Sequence, residues 1–426
     1  MEISDVFHGI KKKDKLNGMQ IIYFVCMLYH VLSPSFCWFT LGYPPLVLHF
    51  INAVTVISFF VGYSNSCFER RNQKVFFSVC LFLFIHAFLS SHKVSLGTAF
   101  QGFEAAIRFL FLLLRRDYVY IMAKKMDKVL CPIIAISTLF WILLFFNKSL
   151  ISIGTHTFQQ YTFVNYLFMV YDSAHYPDRF AGFTLEPGYF SLLLTCLLYF
   201  NRFRISQLNV KIYLMALLFT LSLGGFVLTF VAWFLTYTLY KTKEVKVYKI
   251  CLRAVSFLLL AGAAYYYVTI YWNGGDNDIN KMIVSRLDSD SEKGITGNNR
   301  YSEIGEIYFL SFAQTDDIWF GRGAEAYNQT MKLVEGYDDQ SIRRFIICDG
   351  LIFTITMIIC VFLLFKYKIP LRMLLPAYSI WLGDLLQHGV AFGAAFIWMT
   401  LIVYSMKISK DYQKSSLNNN KYDRFR

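Results

Sequence analysis

Arg179-Phe180-Ala181-Gly182-Phe183-Thr184-Leu185-Glu186-Pro187-Gly188 is the stretch on which the reading of this chain turns. It closes a polar insert, residues 148–183, and opens the apolar run 184–200. Pro187 and Gly188 suit a helix start or a local break. Glu186 just before them places a carboxylate at the positive end of that helix. A second and longer polar insert, residues 271–344, carries Asn299-Arg300 and Phe320-Gly321-Arg322-Gly323. Apolar runs interrupted by two such inserts predict repeated membrane crossing, with the chemistry in the inserts.

Composition points the same way. Hydrophobic residues make up 56% of the 426 residues and charged residues 16%, against roughly 25% charge in an ordinary soluble domain. Mean hydropathy is +0.44. The 43 Phe and 29 Tyr residues fit lipid-facing and interfacial positions. Several runs reach the roughly 20 apolar residues that span about 30 Å of hydrocarbon. The expected fold is an all-α polytopic membrane protein with about twelve transmembrane helices. They are placed near 19–39, 44–64, 75–91, 98–115, 129–147, 184–200, 210–224, 225–241, 249–270, 345–366, 370–385 and 389–406. Residues 1–426 read as one polytopic domain, with 271–344 an extracytoplasmic loop inserted between spans.

The net charge of +13 is not a nucleic-acid signal. The basic residues sit mostly on alternate loops: Lys11, Lys12, Lys13 and Lys15, then Arg70, Arg71 and Lys74, then Arg115, Arg116 and Lys124. That is the positive-inside pattern, and anionic lipid headgroups are the expected neighbours. It predicts both termini in the cytoplasm and the two long inserts outside. Met1 to Lys15 lacks a small-residue cleavage site, so the first apolar run reads as a retained span. The nine cysteines lie in or beside apolar runs and imply no disulfide framework.

Two places within the apolar runs stand out. Lys211 to Tyr240 is too long for one span and has Ser222-Leu223-Gly224-Gly225 in its middle. It reads as two short spans in a tight turn or as one broken helix. Glu104 and Arg108 stand four apart on one helical face. They read as a structural ion pair or as a site for phosphate or sugar.

The candidate site residues are mostly guanidinium groups. Arg179, Arg300 and Arg322 carry permanent charge on a planar fork that matches phosphate oxygens. An isolated arginine near headgroups is more often a snorkelling anchor. Arg322 lies between two glycines, where backbone can approach closely. Asp384 and His388 are four apart, so on a continuous helix the carboxylate can orient the imidazole. An interfacial polar pair without a catalytic role is the plainer reading. No zinc-type His/Glu spacing, phosphate-loop lysine or dinucleotide fingerprint is present. No metal and no cofactor is expected.

The segments Arg179 to Gly188, Phe219 to Gly225, Asn299-Arg300 and Trp319 to Gly323, taken in order, resemble the O-antigen polymerase and ligase superfamily (Wzy and WaaL types). The resemblance covers the order of elements from about residue 160 onward. A Wzy-like surface polysaccharide polymerase is what it implies, at the outer face of the bacterial cytoplasmic membrane. Its donor would be an undecaprenyl-diphosphate-linked glycan, and a chain-length regulator would be a further partner. The resemblance implies a diphosphate bound by Arg179, Arg300 and Arg322. Glu186 or His388 would serve the acceptor hydroxyl, and Arg300 would act in catalysis. An O-antigen ligase, or a polysaccharide flippase or transporter, remains the alternative.

Overall fold

The computed structural model describes residues 16–241 (36, 93–94, 148–149, 159–160 and 175–177 excepted), short pieces between 262 and 295, and 303–406 (334–341 and 367–368 excepted). Among the described residues eight α-helices lie before residue 242: α1 (Gly18–Leu32), α2 (Pro45–Gly62), α3 (Arg70–Ser91), α4 (Leu96–Ile107), α5 (Arg116–Asn147), α6 (Pro187–Phe200), α7 (Leu208–Thr220) and α8 (Leu223–Lys241). Seven more lie after residue 302: α9 (Glu303–Ala313), α10 (Asp317–Phe320), α11 (Gly323–Leu333), α12 (Ile342–Asp349), α13 (Leu351–Lys366), α14 (Leu371–His388) and α15 (Ala394–Met406).

The core is built around α6. Its residues from Pro187 to Tyr199 are buried on every face, Gly188 apart. It packs against α7, α8, α14 and α15. A helix that is apolar all round is buried all round, which explains why this run carries no polar stripe. Two polar contacts tie α6 to its neighbours: Thr195 hydrogen-bonds Thr229 on α8 at 2.6 Å, and the Tyr199 hydroxyl donates to the Met373 carbonyl at 2.5 Å. At the edge of the core Asp127 on α5 accepts from Asn201, Asn209 and Tyr213. α15 is the second enclosed helix, buried from Ala394 through Ser405.

The expectation of about twelve transmembrane helices is corrected here. Among the described residues three helices are long and apolar enough to cross a membrane: Pro45–Gly62, Asn72–Ser91 and Arg116–Leu144. A fourth arises only if Ile342–Asp349 and Leu351–Lys366, bent by 113°, count as one span. The physical reason is that apolar runs are not continuous helices. The run 98–115 breaks at Arg108 into a 3-10 segment, Leu110–Leu113. The 13-residue α7 and α15 rise only about 20 Å each at ~1.5 Å per residue, short of about 30 Å. Between α7 and α8 the chain turns at Leu221, whose φ is +45°. The alternating map falls with the span count. So does the inner-membrane, multi-pass location with both termini cytoplasmic.

The first insert is a folded piece. An antiparallel sheet, β1 (Gly154–Phe158), β2 (Tyr161–Asn165) and β3 (Val170–Tyr171), pairs Gly154 with Asn165 and Asn165 with Val170. Its end is tied to the bundle: the Val170 amide donates to Gly182 at 2.7 Å, the Trp38 amide to Phe183 at 3.1 Å, and the Phe180 amide to Phe219 at 3.0 Å. In the second insert α9, α10, α11 and α12 form their own small core around Phe312, Tyr327, Ile347 and Cys348. That unit docks backbone to backbone. A Cβ on Gly350 (φ +84°) would stand 2.4 Å from the Trp319 carbonyl oxygen, and one on Gly321 2.4 Å from that of Cys348. Gly350 also makes the 113° break between α12 and α13.

Candidate functional site

The docked unit roofs a cavity of about 810 Å³ against α3, α4 and the turn after α14. This is within the range of small-molecule sites, roughly 300–1,000 Å³. Its lining is mixed: the guanidiniums of Arg108 and Arg344, the amides of Gln101, Asn328 and Gln329, and the His86, Ser90 and Asp349 group. Glu325, in the first turn of α11, also lines it.

His86 and Asp349 come from α3 and the last residue of α12. His86 Nδ1 lies 3.0 Å from Asp349 Oδ1, and the Ser90 hydroxyl donates to the same oxygen at 2.5 Å. Ser90 Oγ is also 3.2 Å from His86 Nδ1. The Asp349 side chain is 1% exposed and that of His86 30%. An ionised carboxylate only accepts, so Nδ1 carries the proton in this pair, and a neutral ring keeps its lone pair on Nε2. The imidazole is fixed in orientation by Phe345 at 5.4 Å, Phe353 at 6.2 Å and Phe392 at 5.4 Å between ring centroids. Asp349 Oδ2 is buried with no hydrogen-bond partner among the described residues.

Arg108 owes its availability to where Glu104 turns. The expected Glu104–Arg108 pair does not form. Glu104 instead accepts from Asn52 at 2.9 Å and bonds His49 Nδ1 at 2.6 Å, both on α2. Arg108 follows the last residue of α4, where the helix gives way to the 3-10 segment. It lines the cavity. Arg344 lies 5.3 Å over the Tyr327 ring and lines the cavity as well.

The residues singled out in the sequence divide into two groups. Arg179, Glu186 and His388 are drawn towards one region beside α6. Arg179 Nε donates to the Thr220 carbonyl at 3.2 Å. Glu186 is the N-cap of α6. Tyr189, one turn along, stacks on His388 with ring centroids 4.4 Å apart. His388 Nδ1 is 2.7 Å from Asp384 Oδ1, with both side chains nearly fully buried, so the four-residue spacing did place carboxylate and imidazole together. Arg322 lies elsewhere. Its Nε donates to Asp317 at 2.7 Å, its Nη1 to the Tyr308 hydroxyl at 3.3 Å, and its amide to the Ile347 carbonyl at 2.7 Å. The hydrogen bond it donates to Asp317 holds the guanidinium above its ordinary range. Arg322 therefore serves to fasten the roof of the cavity. Arg300 lies outside the described residues.

Sequence reading passed over His86, Ser90, Asp349 and Arg344. The available signal was an ionisable side chain inside an apolar run, applied to Glu104 and Arg108 but not to His86 or Asp349. Among the described residues no group of three or more His, Cys, Asp or Glu side chains could hold a metal ion. No protein family, no curated protein and no solved structure matches the chain. Together with the few membrane-length helices, this corrects the O-antigen polymerase and ligase resemblance. The polymerisation, ligation or transport of lipid-linked glycans expected from it is withdrawn, as are its lipopolysaccharide setting and its O-antigen context.

Proposed function

We propose that the chain is an enzyme that transfers a group to a hydroxyl oxygen, acting on a phosphate-bearing substrate held in the cavity beneath α11. The observation that carries this reading is that one cavity is lined by both a carboxylate-oriented imidazole and a guanidinium with no ion pair among the described residues. His86 would accept the hydroxyl proton on Nε2, while Asp349 and Ser90 hold the ring and balance the charge it gains. General-base help of this kind contributes about 10²–10⁴-fold. Arg108 and Arg344 would receive the charge that develops on the departing phosphate oxygens, as fixed cations in a sheltered site do. The amides of Gln101, Asn328 and Gln329 both donate and accept, which suits a substrate rich in hydroxyl groups. Two carboxylates share the lining: Asp349 is engaged by His86 and Ser90, and Glu325 sits at the positive end of α11.

The test separates binding from chemistry. Inorganic pyrophosphate titrated into the purified protein should bind the wild type and His86→Gln alike. Arg108→Gln should bind at least about tenfold more weakly, the loss of one charge-assisted hydrogen bond. Turnover across a panel of phosphate esters, sugar phosphates and nucleoside diphosphates should be abolished by His86→Gln. Equal pyrophosphate affinity in Arg108→Gln, or turnover undiminished in His86→Gln, overturns the reading.

A further inference from the structure

We propose that the buried Asp384–His388 pair positions His86, acting through the turn Gly389–Phe392. The pair closes the end of α14, where Gly389 adopts φ +62° and its amide donates to the Leu385 carbonyl at 3.0 Å. His388 is 3% exposed. It is clamped between two partners, the Asp384 carboxylate at 2.7 Å and the face of Tyr189 at 4.4 Å. Tyr189 belongs to α6, one of the two enclosed helices of the bundle. The imidazole therefore ties the end of α14 to the rigid centre of the molecule.

Beyond that anchor the next four residues, Gly389, Val390, Ala391 and Phe392, all line the cavity. A second tie holds the far side of the turn: Trp381 Nε1, also on α14, donates to the Ala391 carbonyl at 2.6 Å. Phe392 then lies 5.4 Å from the His86 ring and 5.2 Å from Phe396 on α15. The line of contact runs from Asp384 through His388 and the turn to Phe392 and His86. His388 Nε2 is buried and has no partner among the described residues. A ring used only through Nδ1 and its face has an orienting part in this line. His388 is a positioning residue here and does not touch the cavity contents. The inference rests on the reading of His86 as the base.

The experiment reads His86 directly and needs no substrate. Diethyl pyrocarbonate acylates a neutral imidazole nitrogen, and the rate at each histidine can be followed peptide by peptide. His49, whose side chain is 49% exposed, serves as the internal control. Phe392→Ala, which removes a ring packed on His86, and His388→Ala, which removes a hydrogen bond to a charged group, should each raise the His86 rate roughly tenfold. The His49 rate should stay unchanged. His388→Asn, whose side-chain amide can donate to Asp384 in place of Nδ1, should restore a rate close to wild type. A folded His388→Ala protein with His86 at the wild-type rate overturns the proposal, as does His388→Asn behaving like His388→Ala. If His388→Ala fails to fold, Trp381→Phe carries the test, since it removes only the donor to Ala391. An unchanged His86 rate in that variant is equally fatal. Failure of pyrophosphate binding or of turnover sinks the functional reading and leaves these rates as they are.

Discussion

His86 owes its usefulness to Asp349, a neighbour 263 residues away in sequence. Asp349→Ala should leave the Nδ1 proton and the Ser90 hydroxyl without their common acceptor. The expected cost is about 2 kcal/mol of stability, the range for a lost charged hydrogen bond, read as a lower melting temperature. Turnover should fall roughly a hundredfold, while pyrophosphate affinity holds or rises because one negative charge has left the wall. Arg322→Ala should contrast with this. Its partner Asp317 is half exposed, so the pair contributes at most about 1 kcal/mol, and pyrophosphate affinity should not move. A calorimetric series on both variants checks the two outcomes together. At this scale the sequence was readable wherever partners are near neighbours. Asp384 and His388 could be paired from their spacing alone, whereas nothing local links His86 to Asp349. The Glu104–Arg108 pairing misled because His49 and Asn52 on a neighbouring helix compete for the carboxylate.

Glycines decide how the elements join. Gly350 combines φ +84° with a backbone oxygen 2.4 Å from where a Cβ would stand, so no side chain can yield to make room. Gly350→Ala should cost at least about 2 kcal/mol through left-handed strain and displacement of the facing strand of backbone. It should also loosen α9–α11 from α12, seen as faster proteolysis within residues 303–333 while α6 stays protected. Equal cleavage rates in wild type and variant would count against this docking. The Phe320-Gly321-Arg322-Gly323 segment could be recognised in the sequence as a place of close backbone approach. What it approaches could not. Its glycines seat the roof against Cys348 on one side and His92 and Ser90 on the other, and its arginine faces Asp317. The first insert shows the same limit, since its short strands alternate too briefly to announce a sheet beside so many apolar runs.

On the scale of the whole molecule, hydropathy alone could not separate a helix enclosed by other helices from one that crosses a membrane. The run 184–200 is apolar on all faces because protein surrounds it, and length rather than composition would have given the distinction. Phe190, fully buried between Phe180 at 5.0 Å and Phe183 at 5.4 Å, should be the most costly single truncation in the bundle. Phe190→Ala is expected to lose about 3–5 kcal/mol, lowering the thermal midpoint of the entire chain and not of one segment. The enclosure of α6 also fixes an order of events at the ribosome. Two of the helices that cover it, α14 and α15, begin at Leu371 and Ala394. Between the emergence of Phe200 and that of Leu371, synthesis at about 5–20 residues per second leaves the face of α6 that packs on α14 and α15 uncovered for roughly 10–30 s. A chain arrested before Leu371 should accordingly be cut by protease inside α6 and held by chaperones, and release of the arrest should end both.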